Sequence, residues 1–155
     1  MDKFTKEEWH RKQAVENFNK TWDLIEKKDR TNEEDLEMIH TAHASRFHWG
    51  AAGTPLNYAR GEWQISRVYS LLKMGESALL HGQQSLELCL QNEIKDFDLS
   101  FAYEAVARAY MVKGEEVKME EYYSLASKSA ENIAKKEDKE YFISELNSIK
   151  LGTKA

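Results

Sequence analysis

One internal repeat restricts the folds open to this chain more than any other feature. The segment ISRVYSLLKMGE, residues 65–76, is echoed by VARAYMVKGEE, residues 106–116, and Tyr69 aligns with Tyr110 at a spacing of 110 minus 69, or 41 residues. Each copy is followed by a second helical segment, so each begins a helix–turn–helix unit. Because one helix pair cannot bury its own apolar face, such repeats stack side by side. The repeat therefore predicts stacked helix pairs.

Composition agrees with an all-helical fold. The chain has 155 residues, the size of one domain, and only seven glycines and one proline. Since these two residue types weaken helices most, their scarcity favours helices over strands. We expect residues 1–155 to form a single all-α domain.

Charge and hydropathy exclude several kinds of partner. The net charge is −5, and lysines and arginines are interleaved with acidic residues, so no basic surface for nucleic acid is evident. The N-terminal stretch lacks the apolar run of a signal peptide, and nowhere do about 18 uncharged apolar residues follow one another. The single cysteine, Cys89, lies among leucines and is expected to be buried. We predict a cytoplasmic protein that binds neither nucleic acid nor membrane.

Helix boundaries can be placed from capping residues. Two capping boxes, a threonine with proline at the first helical position, and later glycine and aspartate signals mark about seven helices. These residues are Thr5 with Glu8, Thr31 with Glu34, Thr54 with Pro55, and then Asp98, Gly114 and Asp138. The predicted helix pairs cover roughly residues 5–49, 55–93 and 98–135, with a capping helix at 138–150.

Apolar spacing predicts which faces are buried. The first helix has one stripe, the second has two, and the last helix has one. The stripes are Val15, Phe18, Trp22 and Ile25; Leu36, Ile39, His43 and Phe47, beside Met38, Ala42, Ser45 and Trp49; and Phe142, Leu146 and Ile149.

The second copy carries a family resemblance. FAYEAVARAYMVKGEEVKMEEYYSLASK resembles a tetratricopeptide repeat, with Tyr103, Ala107, Tyr110 and a glycine turn at Gly114, and the likeness covers roughly residues 55–135. The 41-residue period exceeds the family's usual ~34 by about two helical turns. The resemblance implies a right-handed α-α superhelix. The chain also resembles uncharacterised bacterial proteins with HASRxHW and ARGEWQxSRVY signatures, which implies no activity.

The resemblance also implies a binding face. Arg67 and Arg108 stand at equivalent places in the two copies, and in the tetratricopeptide family that place faces a concave groove. The same register puts six further residues there: Arg60, Trp63, Ser70, Phe101, Glu104 and Met111. Two arginines beside aromatic residues suit a carboxylate ligand, although the family's lysine and asparagine carboxylate clamp is not reproduced. Alternatively Glu104 and Arg108, four residues apart, form a structural ion pair.

Histidines suggest a rival site. His40 and His43 lie about 60° apart on one helix, and with Glu62 they could form a metal site. A polar cluster of His43, His48, Tyr58, Glu62 and Arg67 is expected where the second and third helices meet. The sequence contains no nucleophile elbow and no phosphate-binding loop, and it identifies no catalytic residue.

Two functions follow from these patterns. The first is a non-catalytic module that binds a protein or peptide in the concave groove and needs no cofactor. The alternative is a metal-dependent or small-molecule-binding enzyme or sensor that uses the histidine and glutamate cluster. Assembly into a homo-oligomer is a third reading, because stacked helices present large surfaces.

Overall fold

The computed structural model describes the backbone of residues 3–154 and the side chains of residues 3–149. This part of the chain forms seven helices and no strand, as the sequence predicted. They are α1 (Lys6–Glu26), α2 (Asn32–Ala52), α3 (Pro55–Leu71), α4 (Gly75–Gln91), α5 (Phe97–Lys113), α6 (Glu116–Ala130) and α7 (Lys136–Lys154). None of the described helices has the length and apolar character needed to cross a lipid bilayer.

The capping signals place most helix starts correctly. Thr5 and Thr31 each accept a hydrogen bond from a backbone N–H one turn ahead and close a capping box. Thr54 is the N-cap of α3, and Gly114 ends α5 in the left-handed conformation that glycine favours.

The start of α5 differs from the prediction. Its N-cap is Asp96, whose side chain accepts hydrogen bonds from the N–H of Phe97 at 2.7 Å and from the N–H of Ala134 at 3.0 Å. Asp98 lies in the first turn instead, where it is free to pair with α3. Helix α7 likewise begins at Lys136, two residues before the predicted Asp138.

Small side chains predict the buried faces of the helices better than large ones do. The stripe Met38, Ala42, Ser45 and Trp49 is buried as predicted, and so is the stripe Phe142, Leu146 and Ile149. In contrast Val15, Leu36 and Phe47 are exposed, Phe47 at 71%. Ala14 and Thr21 face the neighbouring helix instead, because small side chains let the two backbones approach closely.

Consecutive helices are antiparallel neighbours. In α1 and α2 the Oγ of Ser45 donates to the carbonyl of Ala14 at 2.8 Å, and Thr21 meets Thr41 at 2.7 Å. In α3 and α4 the Oγ of Ser85 donates to the carbonyl of Ala59, also at 2.8 Å. Within each of the first two helix pairs, a hydrogen bond from a serine hydroxyl to a backbone carbonyl therefore joins the two helices.

The odd-numbered helices run parallel to one another, and the separation of their contacting residues differs between helix pairs. Residues of α3 contact residues of α5 that lie 37 or 38 positions later: Arg60 with Asp98, Trp63 with Phe101, and Arg67 with Glu104. Trp22 of α1 contacts Trp63 of α3, and Phe101 of α5 contacts Phe142 of α7, each at a separation of 41 residues. These four helices form one face, called here the odd-helix face.

The core lies between the odd-helix face and the even-numbered helices. Its larger part surrounds α5, where Ala102, Val106 and Ala107 are fully buried. Gly82 of α4 sits against this helix, and an added Cβ would lie 3.1 Å from Ser66 Oγ and 3.4 Å from backbone atoms of Ala105 and Val106. An alanine at this position would therefore crowd Ser66, and its neighbours would have to shift by a few tenths of an ångström.

Candidate functional site

A cavity of about 150 Å³ opens on the odd-helix face. Ten residues line it, and six of them are aromatic. They are Phe18 and Trp22 of α1; Ala59, Arg60 and Trp63 of α3; Ser85 of α4; Phe97, Asp98 and Phe101 of α5; and Tyr141 of α7. The lining side chains thus come from five helices and from both ends of the chain.

Trp63 stands at the centre of the aromatic wall. Its ring lies 5.7 Å from that of Trp22 and 5.6 Å from that of Phe101, which it meets edge to face. Phe97 lies 4.7 Å from Phe101, and Tyr141 lies 5.9 Å from Phe101 on the far side. Ring pairs at such distances stabilise one another, so the wall is preorganised.

One ion pair stands at the edge of the cavity. Arg60 holds Asp98 through two parallel hydrogen bonds, Nε to Oδ1 at 2.9 Å and Nη2 to Oδ2 at 3.0 Å. The hydrogen bond with Asp98 raises the pKa of Arg60, although about half of the arginine side chain is exposed. The cavity therefore has an apolar interior beside a balanced pair of charges.

One buried donor of Trp63 lacks an acceptor. The indole Nε1 is buried and has no hydrogen-bond partner in the described part of the chain. A buried N–H without an acceptor costs roughly 1–3 kcal/mol. Trp63 therefore contributes its ring to the cavity wall, while its N–H is shielded from the cavity.

Further along the odd-helix face lies a charged network. Glu104 is fully buried and receives Arg108 Nε at 2.5 Å and Arg67 Nη2 at 3.5 Å. Arg67 also lies 3.6 Å from a carboxylate oxygen of Glu145. Arg108 donates to Ser148 Oγ at 2.8 Å and to the Glu145 carbonyl at 3.0 Å. Two arginines and two glutamates thus balance one another.

The residues predicted to line one groove fall into separate groups. Arg60, Trp63 and Phe101 line the cavity. Arg67, Glu104 and Arg108 belong to the charged network. Within it, Glu104 and Arg108 form the structural ion pair that the sequence offered as the alternative. Ser70 is buried and its hydroxyl has no partner in residues 3–149, while Met111 is half-buried and packs against the core around α5.

Sequence reasoning missed several lining residues: Phe18, Trp22, Ala59, Ser85, Phe97, Asp98 and Tyr141. A signal for one of them was present, because Trp22 precedes Trp63 by the same 41 residues that separate the two repeat tyrosines. Tyr141 left no such signal, since the matching positions hold other residue types.

The histidine cluster forms between α2, α3 and α4. His43 Nε2 lies 2.9 Å from the Tyr69 hydroxyl, and His81 Nδ1 lies 2.7 Å from Glu62. Arg46 donates to the other oxygen of Glu62 at 2.9 Å. Burial, with His81 nearby, lowers the pKa of His43, and burial raises the pKa of Tyr69. Each of these five side chains has a protein partner.

The proposed metal ligands do not form a metal site. Among the described residues there is no group of three histidine, cysteine or carboxylate side chains that could hold an ion. His40 is exposed, while His43 and Glu62 bind the partners given above.

The polar cluster expected where α2 and α3 meet is also divided. His48 Nδ1 lies 2.8 Å from His10 Nδ1 of α1, and burial and His10 lower the pKa of His48. Arg67 faces Glu104 in the charged network instead. Tyr58 stays with Arg46, whose guanidinium lies 4.5 Å from the ring centre. Glu62 pairs with Arg46 and not with an arginine of the odd-helix face.

Cys89 is buried as predicted. Burial raises the pKa of its thiol to about 12, so the reactive thiolate is scarce at neutral pH.

Comparison with protein-family models, with curated proteins and with solved structures found no match to this chain.

Proposed function

We propose that this chain is a tetratricopeptide-like helical-repeat protein that binds a protein or peptide partner on its odd-helix face and catalyses no reaction. The helix pairs stack as a right-handed superhelix, with α7 as the cap. The parallel register of the odd-numbered helices supports this arrangement, because a repeated helix pair brings each first helix beside the next.

The observation that carries the proposal is the aromatic cavity. Peptide-binding surfaces concentrate their affinity in a few apolar anchors that enter well-packed pockets. The cavity combines aromatic walls with a polar edge, and it opens on the face that the repeat arrangement assigns to ligands. A volume of about 150 Å³ accepts one side chain rather than a whole helix.

The arginines that the sequence singled out have a different role in this proposal. Arg67 and Arg108 are each largely buried and paired with Glu104, so they hold α3, α5 and α7 together. Arg60 is about half exposed and lies at the cavity edge, where its guanidinium can reach a partner. We therefore assign the polar contact with the partner to Arg60.

A peptide selection tests the proposal. Random peptides displayed on phage are selected on the full chain, and the Kd of the best synthetic peptide is measured by calorimetry. Tyr141→Ala removes one wall of the cavity and should weaken binding about tenfold, because the anchor loses part of its pocket.

Phe47→Ala provides the matched control. Phe47 is an exposed aromatic residue of α2 that does not line the cavity, so its removal should leave the Kd within about twofold. Selection of no specific peptide, or equal losses in the two variants, would contradict a binding role for this face.

The alternative of a small-molecule-binding protein is favoured by the same cavity. Calorimetric titration of the full chain with free small molecules, compared with the selected peptide, separates the two.

A further inference from the structure

Two histidines on neighbouring helices form a site that the proposed function does not use. His10 of α1 and His48 of α2 lie with their Nδ1 atoms 2.8 Å apart and their ring centres 5.0 Å apart. We propose that these two residues, called here the histidine pair, bind one divalent transition-metal ion, with Cu²⁺ preferred over Zn²⁺. The proposal is independent of the cavity and of the peptide-binding role.

The histidine pair brings two metal-binding nitrogen atoms together. Imidazole nitrogen is a ligand that suits Cu²⁺, Ni²⁺ and Zn²⁺. A neutral imidazole carries one proton, so in the neutral pair one Nδ1 donates to the other. A metal ion takes the place of that shared proton. Each ring then keeps its single proton on Nε2 and turns so that its Nδ1 lone pair points at the ion, and no proton is lost overall.

The separation of the two nitrogen atoms favours coordination at a right angle. Metal–nitrogen bonds of about 2.0 Å at 90° place adjacent nitrogen atoms about 2.8 Å apart, whereas a tetrahedral zinc site requires about 3.3 Å. The observed distance of 2.8 Å matches the first value. Cu²⁺ prefers this tetragonal geometry and also forms stronger complexes with nitrogen ligands than Zn²⁺ does. The spacing therefore indicates Cu²⁺.

Contacts on either side of the histidine pair hold the two helices at this spacing. The Oγ of Ser45 donates to the carbonyl of Ala14 at 2.8 Å. On the other side, Arg11 Nη2 donates to the carbonyl of Ala52 at 2.9 Å. Ser45 lies about one turn before His48 and Ala52 about one turn after it, so the pair lies between the two contacts. Ligands on rigid helices are positioned more precisely than ligands on loops, so the site is preorganised.

Aromatic rings border the histidine pair and leave it open to solvent. Trp9 meets both histidine rings edge to face at 5.2 Å, and Phe47 meets the His48 ring at 5.4 Å. Both histidines are half-buried, while Trp9 and Phe47 are exposed. Among the described residues no third histidine, cysteine or carboxylate joins the two in a group that could hold an ion. The site therefore fits an ion that keeps water in its remaining coordination positions.

Calorimetric titration of the full chain with Cu²⁺ tests the proposal. We expect one ion per chain, and His10→Ala should weaken binding at least about tenfold, because a single imidazole loses the advantage of two linked ligands. His40→Ala removes an exposed histidine of α2 outside the pair and should leave the Kd within about twofold. Equal losses in the two variants, or no binding, would overturn the site. Tighter binding of Zn²⁺ than of Cu²⁺ would overturn the choice of ion.

Electron paramagnetic resonance of Cu²⁺ in the unaltered chain needs no substitution. At one ion per chain, the spectrum should show superhyperfine splitting from two nitrogen ligands. Splitting from one nitrogen, or a chain that dimerises as Cu²⁺ is added, would contradict a site between α1 and α2. This readout applies even where His10→Ala lowers the stability of the fold.

Tryptophan fluorescence locates the bound ion. Bound Cu²⁺ quenches the emission of a nearby indole, and Trp9 contacts both histidine rings. Trp9→Phe should therefore remove most of the quenching by Cu²⁺ while the calorimetric Kd changes less than about threefold. Trp22→Phe makes the same change about 20 Å further along α1 and should leave the quenching intact. Loss of quenching in Trp22→Phe instead would place the ion away from the histidine pair and refute the site.

Discussion

The cavity and the charged network adjoin on the odd-helix face and differ in how their side chains are satisfied. At the charged network, Arg67 and Arg108 are matched by Glu104 and Glu145 over distances of 2.5 to 3.6 Å. At the cavity, aromatic rings surround about 150 Å³ of open space.

This difference separates structural side chains from binding side chains on one surface. Charges that are buried and paired are costly to expose, so a ligand gains little by competing for them. Open apolar volume, in contrast, is available to any ring that fits it. The charged network should therefore determine stability, and the cavity should determine binding.

The largest expected effect comes from removing the central charge of the network. Glu104→Gln leaves two largely buried arginines without their shared carboxylate and should lower the free energy of unfolding by about 3 kcal/mol. Glu145→Gln, at a partly exposed carboxylate, should cost less than about 1 kcal/mol. Urea denaturation measures both, and a loss below about 1 kcal/mol in Glu104→Gln would show that the arginines are available to ligands.

Replacing the three most buried charges of the network together should cost much less than removing one of them. The triple variant Arg67→Met, Glu104→Met and Arg108→Met removes these charges while it keeps apolar volume, and it leaves the partly exposed Glu145. Its free energy of unfolding should lie within about 1 kcal/mol of the parent, because no buried charge is left unpaired. A loss as large as that of Glu104→Gln would mean that hydrogen bonds to Ser148 and the Glu145 carbonyl dominate.

A smaller effect is expected from the ion pair at the cavity edge. Arg60→Ala removes a half-exposed arginine and should lower the free energy of unfolding by about 0.5 kcal/mol. It should nevertheless weaken a selected peptide more than Arg67→Lys does, because only Arg60 lines the cavity. The reverse order of the two Kd values would contradict the division of roles between the cavity and the charged network.

Acidification should have the smallest effect on the cavity. The pKa values of His43 and His48 are lowered in the fold, so below the ordinary value of about 6.5 the unfolded chain takes up more protons. The free energy of unfolding should be highest above pH 6.5 and decrease from pH 6.5 to 5.5. The affinity for a selected peptide should stay constant, since neither histidine lines the cavity.

Thermal denaturation at the two pH values measures this change. His43 faces His81, Glu62 and His40, and His48 faces His10. The double variant His43→Asn and His48→Asn should show a smaller decrease. An unchanged decrease would assign the pH dependence to other groups.

Much of the fold could be predicted from local signals. Thr5, Thr31 and Gly114 mark helix ends through hydrogen bonds and a backbone conformation that involve only nearby residues. The burial of Val15 and Phe47 was predicted wrongly because apolar spacing favours large side chains, whereas the helices pack through small ones.

The site was harder to predict, for a physical reason. The repeat register predicted Arg67 and Arg108 on one face with Trp63 and Phe101. Whether these arginines are already paired within the protein depends on residues distant in sequence. Glu145 of α7 pairs with Arg67 in the charged network. A cavity is a volume that no side chain fills, so no single residue type in the sequence predicts it.

Asp96 has a consequence for how the chain opens. Its two carboxylate oxygens receive backbone N–H groups from both sides, Phe97 at the start of α5 and Ala134 in the loop before α7. Partial unfolding of the C-terminal third therefore has to release this carboxylate. In hydrogen exchange the amides of Phe97 and Ala134 should lose protection together, as one cooperative unit, although 37 residues of chain separate them.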